Sequence, residues 1–327
     1  MKVCLVGDFS QNLDEGLKST AHNLFNNLSN VSEIELYKLN LKKFSYHKDL
    51  DSLKDFSPDI LHYIPGPTNF SLIFLKILIS KLKHRPKIVL SALHPNFNDF
   101  LIKLLRLKIF FVISQSKELQ NRLTSLKINS ELIPLGVNIN KFYPVNDKKK
   151  EILRRKYGID TDQFIILHVG HIFNNRNLSI LKYISSENQV VVVESPYLSS
   201  SKILRSRLKE WGWKIFTGYF ENIEEFYQIA DCYVFPVLPG NSILCPLSVL
   251  EAMACNLPVV TTKFEGLYTF FEENEGLFFS NPTPDDFSKR ILEIKRTKFT
   301  TKTRNMVSGY SWENVAKKII EIYFREE

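Results

Sequence analysis

Short runs of β-branched and other apolar residues recur along the first half of the chain at 3–6, 34–37, 60–64, 87–90, 109–113 and 131–134. Longer stretches with apolar positions every three to four residues lie between most of them, at 19–28, 71–82, 98–107 and 117–126; that spacing predicts helices. The rhythm restarts at 164–169, 190–194, 214–217, 232–236, 257–261 and 276–279. Nearly continuous apolar strands alternating with helices imply parallel sheets covered on both faces. The polar stretch 144–155, which begins Pro-Val-Asn-Asp-Lys-Lys-Lys-Glu, reads as a linker. The expectation is two doubly wound α/β domains of similar size, 1–150 and 151–310. Ligands of such sheets bind beyond the carboxyl ends of the strands, and a two-domain chain puts its cleft between the domains.

Composition removes several function classes. With 44% hydrophobic residues, 12 Gly and 14 Pro in 327 residues, the chain is neither disordered nor collagenous. Cys4, Cys232, Cys245 and Cys255 lack paired or metal-ligand spacing, which points to a reducing compartment. Met1-Lys2 runs directly into a strand-like segment without an export signal. The longest apolar stretches, 72–79 and 101–113, are short or broken by Lys76, Lys103, Arg106 and Lys108; a spanning helix needs about 20 mostly apolar residues. A soluble, cytoplasmic protein is expected.

Charge changes this picture in one region. The formal net charge is +8, and residues 71–127 hold eleven basic residues against two acidic ones. Within them, 74–83 and 100–108 are basic and amphipathic. Three readings stay open: helices that pack one face on a sheet and hold Lys in water, attachment to an anionic membrane surface, or a polyanionic partner. Nucleic acid is not expected, because no recognition motif accompanies the charge.

Two segments carry candidate chemistry. In Leu167-His-Val-Gly-His-Ile-Phe-Asn-Asn-Arg-Asn-Leu178, a strand ends at Gly170 and a helix is expected from near Asn177. A helix amino terminus with a basic side chain beside it attracts anions, and Arg176 would offer a forked, permanently charged donor to phosphate oxygens. The plainer alternative is a connection with one solvated Arg. In the second segment a strand ends at Pro236, turn residues Pro239-Gly240-Asn241 follow, and a helix over about 247–255 is stopped by Asn256-Leu257-Pro258. Glu251, read as lying toward the start of that helix, could accept hydrogen bonds from a sugar's vicinal hydroxyls, or simply favour the helix dipole. Two Asp-x-Asp pairs, Asp49/Asp51 and Asp160/Asp162, sit in charged polar segments rather than at strand ends, so no metal role is assigned. No dinucleotide glycine fingerprint follows the first strand, which argues against an NAD enzyme.

Pro246-Leu-Ser-Val-Leu-Glu-Ala-Met-Ala-Cys-Asn-Leu-Pro-Val-Val-Thr-Thr262 resembles the donor-nucleotide motif of glycosyltransferase family four, a retaining group with the GT-B fold. Ile133-Pro-Leu-Gly-Val-Asn, Gly170-His171 followed by Arg176, Ala230-Asp231, Glu275-Gly-Leu and Tyr310-Ser-Trp-Glu313 resemble further landmarks of the group, in order. The likeness is strong after residue 130 and weak before it. It implies two Rossmann-like domains facing a cleft, with a C-terminal helix at about 311–327 crossing back to the first. It also implies metal-independent transfer of a sugar from a nucleotide sugar, without a cofactor, to a glycan or lipid-linked acceptor. By the same resemblance Glu251 would hold the ribose, and Cys245, Leu247 and Ser248 would cradle the diphosphate. Arg176 and His171 would neutralise phosphate charge, and Phe220 would contact the base. Gly16 would lie in the small-residue loop near the donor, and His94 would approach the transferring sugar.

Four positions depart from the pattern. Ile243 replaces the acidic residue eight positions before Glu251, which ordinarily contacts the donor sugar. Pro246 removes one N–H from the cradle. His171 replaces an Arg, and Glu15-Gly16 replaces a glycine pair. Two rival readings therefore stand: a nucleotide-sugar-binding partner without transferase activity, and a sugar-nucleotide epimerase.

Overall fold

All twelve apolar runs form strands, and every strand pairing is parallel. The computed structural model describes all residues except 14, 185–187, 196–200, 239–243, 275, 298–300 and 327. The chain divides into two compact units. The first runs β1 (Lys2–Gly7), α1 (Gly16–Leu28), β2 (Glu35–Asn40), α2 (Tyr46–Phe56), β3 (Ile60–Tyr63), α3 (Asn69–Ser80), β4 (Lys87–Ser91), α4 (Asp99–Leu105), β5 (Ile109–Ser114), α5 (Lys117–Ser125) and β6 (Ser130–Leu132). Its sheet order is β2-β1-β3-β4-β5-β6. Val3, Cys4, Leu5 and Val6 of β1 are all fully buried, as a strand sandwiched between helix layers requires.

The second unit runs α6 (Asp147–Lys156), β7 (Ile165–Val169), β8 (Gln189–Glu194), α7 (Lys202–Glu210), β9 (Lys214–Thr217), α8 (Glu224–Ile229), β10 (Cys232–Phe235), α9 (Leu247–Ala254), β11 (Val259–Thr261), α10 (Glu265–Tyr268), β12 (Leu277–Phe279), α11 (Pro284–Thr297) and α12 (Thr303–Val307). Its order is β12-β11-β10-β7-β8-β9. From β7 the chain winds outward through β8 and β9, then returns to β10 and winds the other way. The switch point of this sheet is therefore the β7–β10 boundary, where α/β sheets bind ligands. Among the described residues no helix is long and apolar enough to cross a membrane.

The linker expected at 144–155 is not one. Asn146 caps α6 by accepting from the Lys149 N–H at 2.9 Å, and Arg154 is buried with its donors spent on protein acceptors. Its Nε and Nη2 reach the Ile229 carbonyl, Nη1 reaches those of Thr161 and Gln163, and Nη2 meets the Asp231 carboxylate at 2.6 Å. Lys150 holds the other oxygen of Asp231 at 2.5 Å. A charged run looks like solvated linker because composition cannot show a guanidinium whose hydrogen bonds all close inside the fold. The two units divide instead between Gly136 and Val137.

The last helix, α13 (Trp312–Tyr323), belongs to the first unit. It buries Trp312, Val315, Ala316, Ile319, Ile322 and Tyr323, a stripe at helical spacing. Trp312 occupies the space a Cβ on Gly136 would need, its ring carbons lying 2.6–2.7 Å from that point. At the other end the Tyr323 hydroxyl sits 2.6 Å from Nδ1 of buried His62, whose Nε2 is 2.8 Å from the Ser91 hydroxyl. Burial pulls the His62 pKa down to about 3, so the ring is neutral and both nitrogens need neutral partners. Tyr323→Phe orphans one of them, and urea unfolding is expected to show a loss of about 1–3 kcal/mol. An unchanged midpoint would mean the bond contributes nothing.

The Asp-x-Asp pairs have local duties. Asp49 and Asp51 lie on α2, a helix the periodicity did not reveal; Asp49 accepts from the Ser45 N–H, and Asp51 pairs with Lys54 at 2.8 Å. Asp160 accepts from the Asp162 N–H in the turn before β7.

Candidate functional site

At the switch point of the second unit, β7 and β10 lie side by side with Leu167 opposite Tyr233. The chain leaves β7 through Gly170, at φ +149°, where a Cβ would sit 3.3 Å from Nε2 of His168. The α-helix expected from Asn177 does not form. One short 3-10 turn covers Asn174–Arg176, Asn177 takes a left-handed φ of +52°, and a second 3-10 segment covers Leu178–Ile184. The loop therefore starts no α-helix of its own, and the positive charge it carries is the Arg176 side chain.

Arg176 is half-buried, with its guanidinium 5.2 Å from the Phe235 ring centroid at the end of β10. Its Nε and Nη1 are shielded from solvent and have no hydrogen-bond partner. Burial lowers its pKa, but an arginine keeps its charge. The plain alternative of a solvated Arg is thus excluded. Below it His168 is fully buried, stacked against Tyr233 and Phe235. Its Nδ1 lies 3.0 Å from the Val234 carbonyl, which can only accept, so Nδ1 carries the proton and the unpartnered Nε2 is a bare lone pair. Burial brings this ring down to about 4 and keeps it neutral. His171 lies half-buried in the same loop, its ring 5.4 Å from that of Phe173.

Facing this loop in sequence order is the start of α9. Pro246 stands at its cap with no side-chain acceptor, and the first bonds to close are from Val249 and Leu250 onto the Pro246 carbonyl. The N–H groups of Leu247 and Ser248 precede that first turn, as the leading donors of any helix do. The Ser248 side chain hydrogen-bonds the Tyr233 phenol, which itself donates to the Val169 carbonyl at 3.3 Å. Ser248 on α9 is thereby tied through β10 to the end of β7.

Glu251 lies in the second turn of α9, which starts at Leu247 as the sequence reading had it. It accepts from the hydroxyl of buried Tyr227 at 2.6 Å. Burial, its largest influence, raises the carboxyl to about 7, while the Tyr227 bond and the charge of Lys141 pull the other way. Lys141 is itself held by the Glu221 carbonyl at 2.7 Å and by Glu224 at 3.4 Å. Phe220 follows Gly218, which has φ +151°, and packs edge-on against Phe226 with centroids 4.9 Å apart.

Arg176, His171, Leu247, Ser248, Glu251 and Phe220 all belong to the second unit. His94 and Gly16 belong to the first: His94 is exposed beyond the carboxyl end of β4, and Gly16 opens α1. Cys245 clusters with the first unit, buried, with its thiol bonded to the Leu135 backbone. Asn241, Ser242 and Ile243 lie outside the described residues. Sequence reasoning missed His168, Tyr227, Tyr233 and Lys141. A His or Tyr inside an otherwise apolar strand was a readable signal for two of them; Lys141 and Tyr227 gave none.

A family model described as glycosyl transferases group 1 matches residues 149–314. Among curated relatives, a D-inositol 3-phosphate glycosyltransferase of Corynebacterium urealyticum is 25% identical over 222 residues, covering 61% of this chain and 52% of the relative. The α-monoglucosyldiacylglycerol synthase of Acholeplasma laidlawii is 21% identical over 299 residues, covering 80% and 72%. The chain spans about half the length of the first of these. Among solved structures, Anabaena HepE in complex with UDP-glucose superposes with a TM-score of 0.74 at 15% identity, covering 98% of both chains, which shows a shared GT-B fold.

Proposed function

Because this chain belongs to the group 1 glycosyl transferases, we propose that it moves a sugar from a nucleoside-diphosphate donor to an acceptor hydroxyl with retention of configuration. The observation that carries this reading is Arg176, a shielded cation with two N–H groups left without partners at a sheet switch point. A buried charged donor left unsatisfied is expensive, and a pyrophosphate supplies the missing acceptors.

As the glycosidic bond lengthens, negative charge gathers on the pyrophosphate and positive charge on the sugar ring. Arg176, assisted by His171 and by the leading N–H groups of Leu247 and Ser248, stabilises the departing phosphate in place before the reaction begins. That phosphate takes the proton of the acceptor hydroxyl on the same face, so neither a protein nucleophile nor a metal is needed. Glu251 accepts from the ribose hydroxyls and Phe220 contacts the base. Gly16, Cys245 and His94 complete the assignment, His94 on the side of the transferring sugar. The names of relatives that build glucosyl lipids or glycosylate a diphospho-undecaprenol sugar support a lipid-linked or glycan acceptor. Four buried, free cysteines agree with a cytoplasmic, reducing setting.

A thermal-shift series with UDP-, GDP- and ADP-glucose tests the donor. A ligand at a hundred times its Kd stabilises by about 2.7 kcal/mol, a rise of several degrees for units of this size. One base is expected to give that rise; no shift with any donor would refute the reading. Donor binding without transfer to any acceptor would favour the partner-subunit reading, and donor conversion without an acceptor would favour the epimerase.

A further inference from the structure

We propose that the outer face of α3 and α4 in the first unit docks on an anionic lipid bilayer. Membrane docking rests on the transfer reading only for the identity of the acceptor presented there. Phe70 is 79% exposed, Phe100 67% and Leu104 62%, with Ile73 and Ile77 also exposed. Five of the fifteen exposed large hydrophobics among the described residues thus fall on two packed helices, and the others are scattered. Contiguous exposure of that kind marks an interaction surface, whereas single exposed residues mark nothing.

These segments do more than pack one apolar face and hold Lys in water: they also leave an apolar row uncovered. On α3, Leu72, Leu75, Leu78 and Ile79 face the core, while Phe70, Ile73 and Ile77, at three- and four-residue spacing, form a second apolar row on the outside. Phe100 and Leu104 repeat that row on α4, and the two helix starts are bound together by the Asn98 N–H donating to Asn69 Oδ1 at 2.8 Å. Lys103 on α4 is exposed, as are Lys81, Lys83 and Arg85 just past the carboxyl end of α3 and Arg106 and Lys108 just past that of α4. Asp99 is the one acidic residue on either helix, and Arg122 neutralises it at 2.6 Å.

An apolar centre with a cationic rim complements acyl chains beneath anionic headgroups. A polyanion such as nucleic acid would leave the apolar rows in water, and a second copy would set like charges against each other around the contact. Placement gives the docking a purpose. Phe70 and Phe100 stand at the amino-terminal ends of helices that follow β3 and β4, the sheet edge beyond which His94 is exposed. A lipid-linked hydroxyl would be presented at that edge.

Co-sedimentation of the full chain with vesicles of phosphatidylcholine alone, and of phosphatidylcholine mixed with phosphatidylglycerol, tests the proposal. Binding is expected only to the mixed vesicles, weakened by salt. Phe70→Ser combined with Phe100→Ser is expected to reduce it about fivefold, as is Lys103→Glu with Lys108→Glu. Phe70 and Phe100 are exposed, so these variants keep the fold, and circular dichroism verifies it. Absence of binding to the mixed vesicles, or undiminished binding by both variants, would overturn the proposal. So would a dimer in sedimentation velocity that Phe70→Ser with Phe100→Ser dissociates. Nucleotide-sugar thermal shifts on the same preparation separate the two claims: shifts without vesicle binding sink the docking alone, and vesicle binding without shifts sinks the transfer reading alone.

Discussion

Arg176→Ala is expected to slow sugar transfer about 100-fold while leaving the unfolding midpoint of the free protein unchanged or slightly raised. The two halves of that outcome come from one geometry. In the free protein the guanidinium is half-buried, and its Nε and Nη1 find no acceptor. The ring of Phe235 lies 5.2 Å from it. Removing a cation in that state relieves an unmet desolvation demand rather than breaking a network. In the transition state the same N–H groups meet the charge that accumulates on the leaving pyrophosphate. Loss of one preorganised donor of this type removes about 2.7–4 kcal/mol, or about 10²–10³ in turnover. Arg176→Lys should recover part of the rate, since it restores charge without the planar fork that can bind two oxygens and lie over Phe235. Steady-state kinetics with the donor found by thermal shift, paired with urea unfolding, measure both halves. Turnover near that of the wild type would remove Arg176 from the mechanism. A large loss of stability would make it a structural residue instead.

The strands were legible because both faces of each sheet are covered, so burial wrote a nearly unbroken apolar run at every one. What the pattern could not show was the fate of individual polar groups. Arg154 and Lys150 sit in a charged run indistinguishable from linker until their acceptors on Ile229, Ala230 and Asp231 are seen, about 80 residues along the chain. The loop after Gly170 looked like the approach to a helix because Leu178 and Leu181 have helical spacing. The left-handed turn at Asn177 diverts it into 3-10 segments, and no single residue type announces that turn. The outer row of α3 was only half legible: the sequence showed a basic, amphipathic segment and left its role open, and only the fold shows which apolar row has a cover. Glu251 was legible through its motif. The upward shift of its carboxyl was not, because that shift comes chiefly from burial, with the charge of Glu224 on α8 adding to it and the Tyr227 bond opposing it.

That shift sets up a second variant with opposed effects on stability and binding. Glu251 titrates in the fold at about 7, against an ordinary value of 4.5. Between those values the native state holds a proton that the unfolded chain has released. Stability must therefore fall as pH rises through this window, and it is highest at and below pH about 4.5 as far as this group is concerned. Allowing for partial exposure, the loss is on the order of 2 kcal/mol. Glu251→Gln keeps the shape and an oxygen for the Tyr227 hydroxyl but cannot ionise. Its unfolding free energy should lose that slope and exceed the wild type's by about the same amount at pH 8. Donor binding should move the other way. Ribose hydroxyls donating to a carboxylate are worth about 1.5–3 kcal/mol, so the variant's Kd should rise about 10–100-fold. For the same reason, wild-type affinity should strengthen as pH climbs through 7, while the variant's stays flat. A side chain placed only for packing would weaken both properties together, and one irrelevant to the donor would leave Kd untouched. Calorimetric titration of wild type and Glu251→Gln at pH 6 and 8, beside urea unfolding at the same two values, separates these cases. A more stable protein that grips its nucleotide sugar less tightly is the outcome expected of a carboxylate held at the expense of the fold for the sake of its ligand.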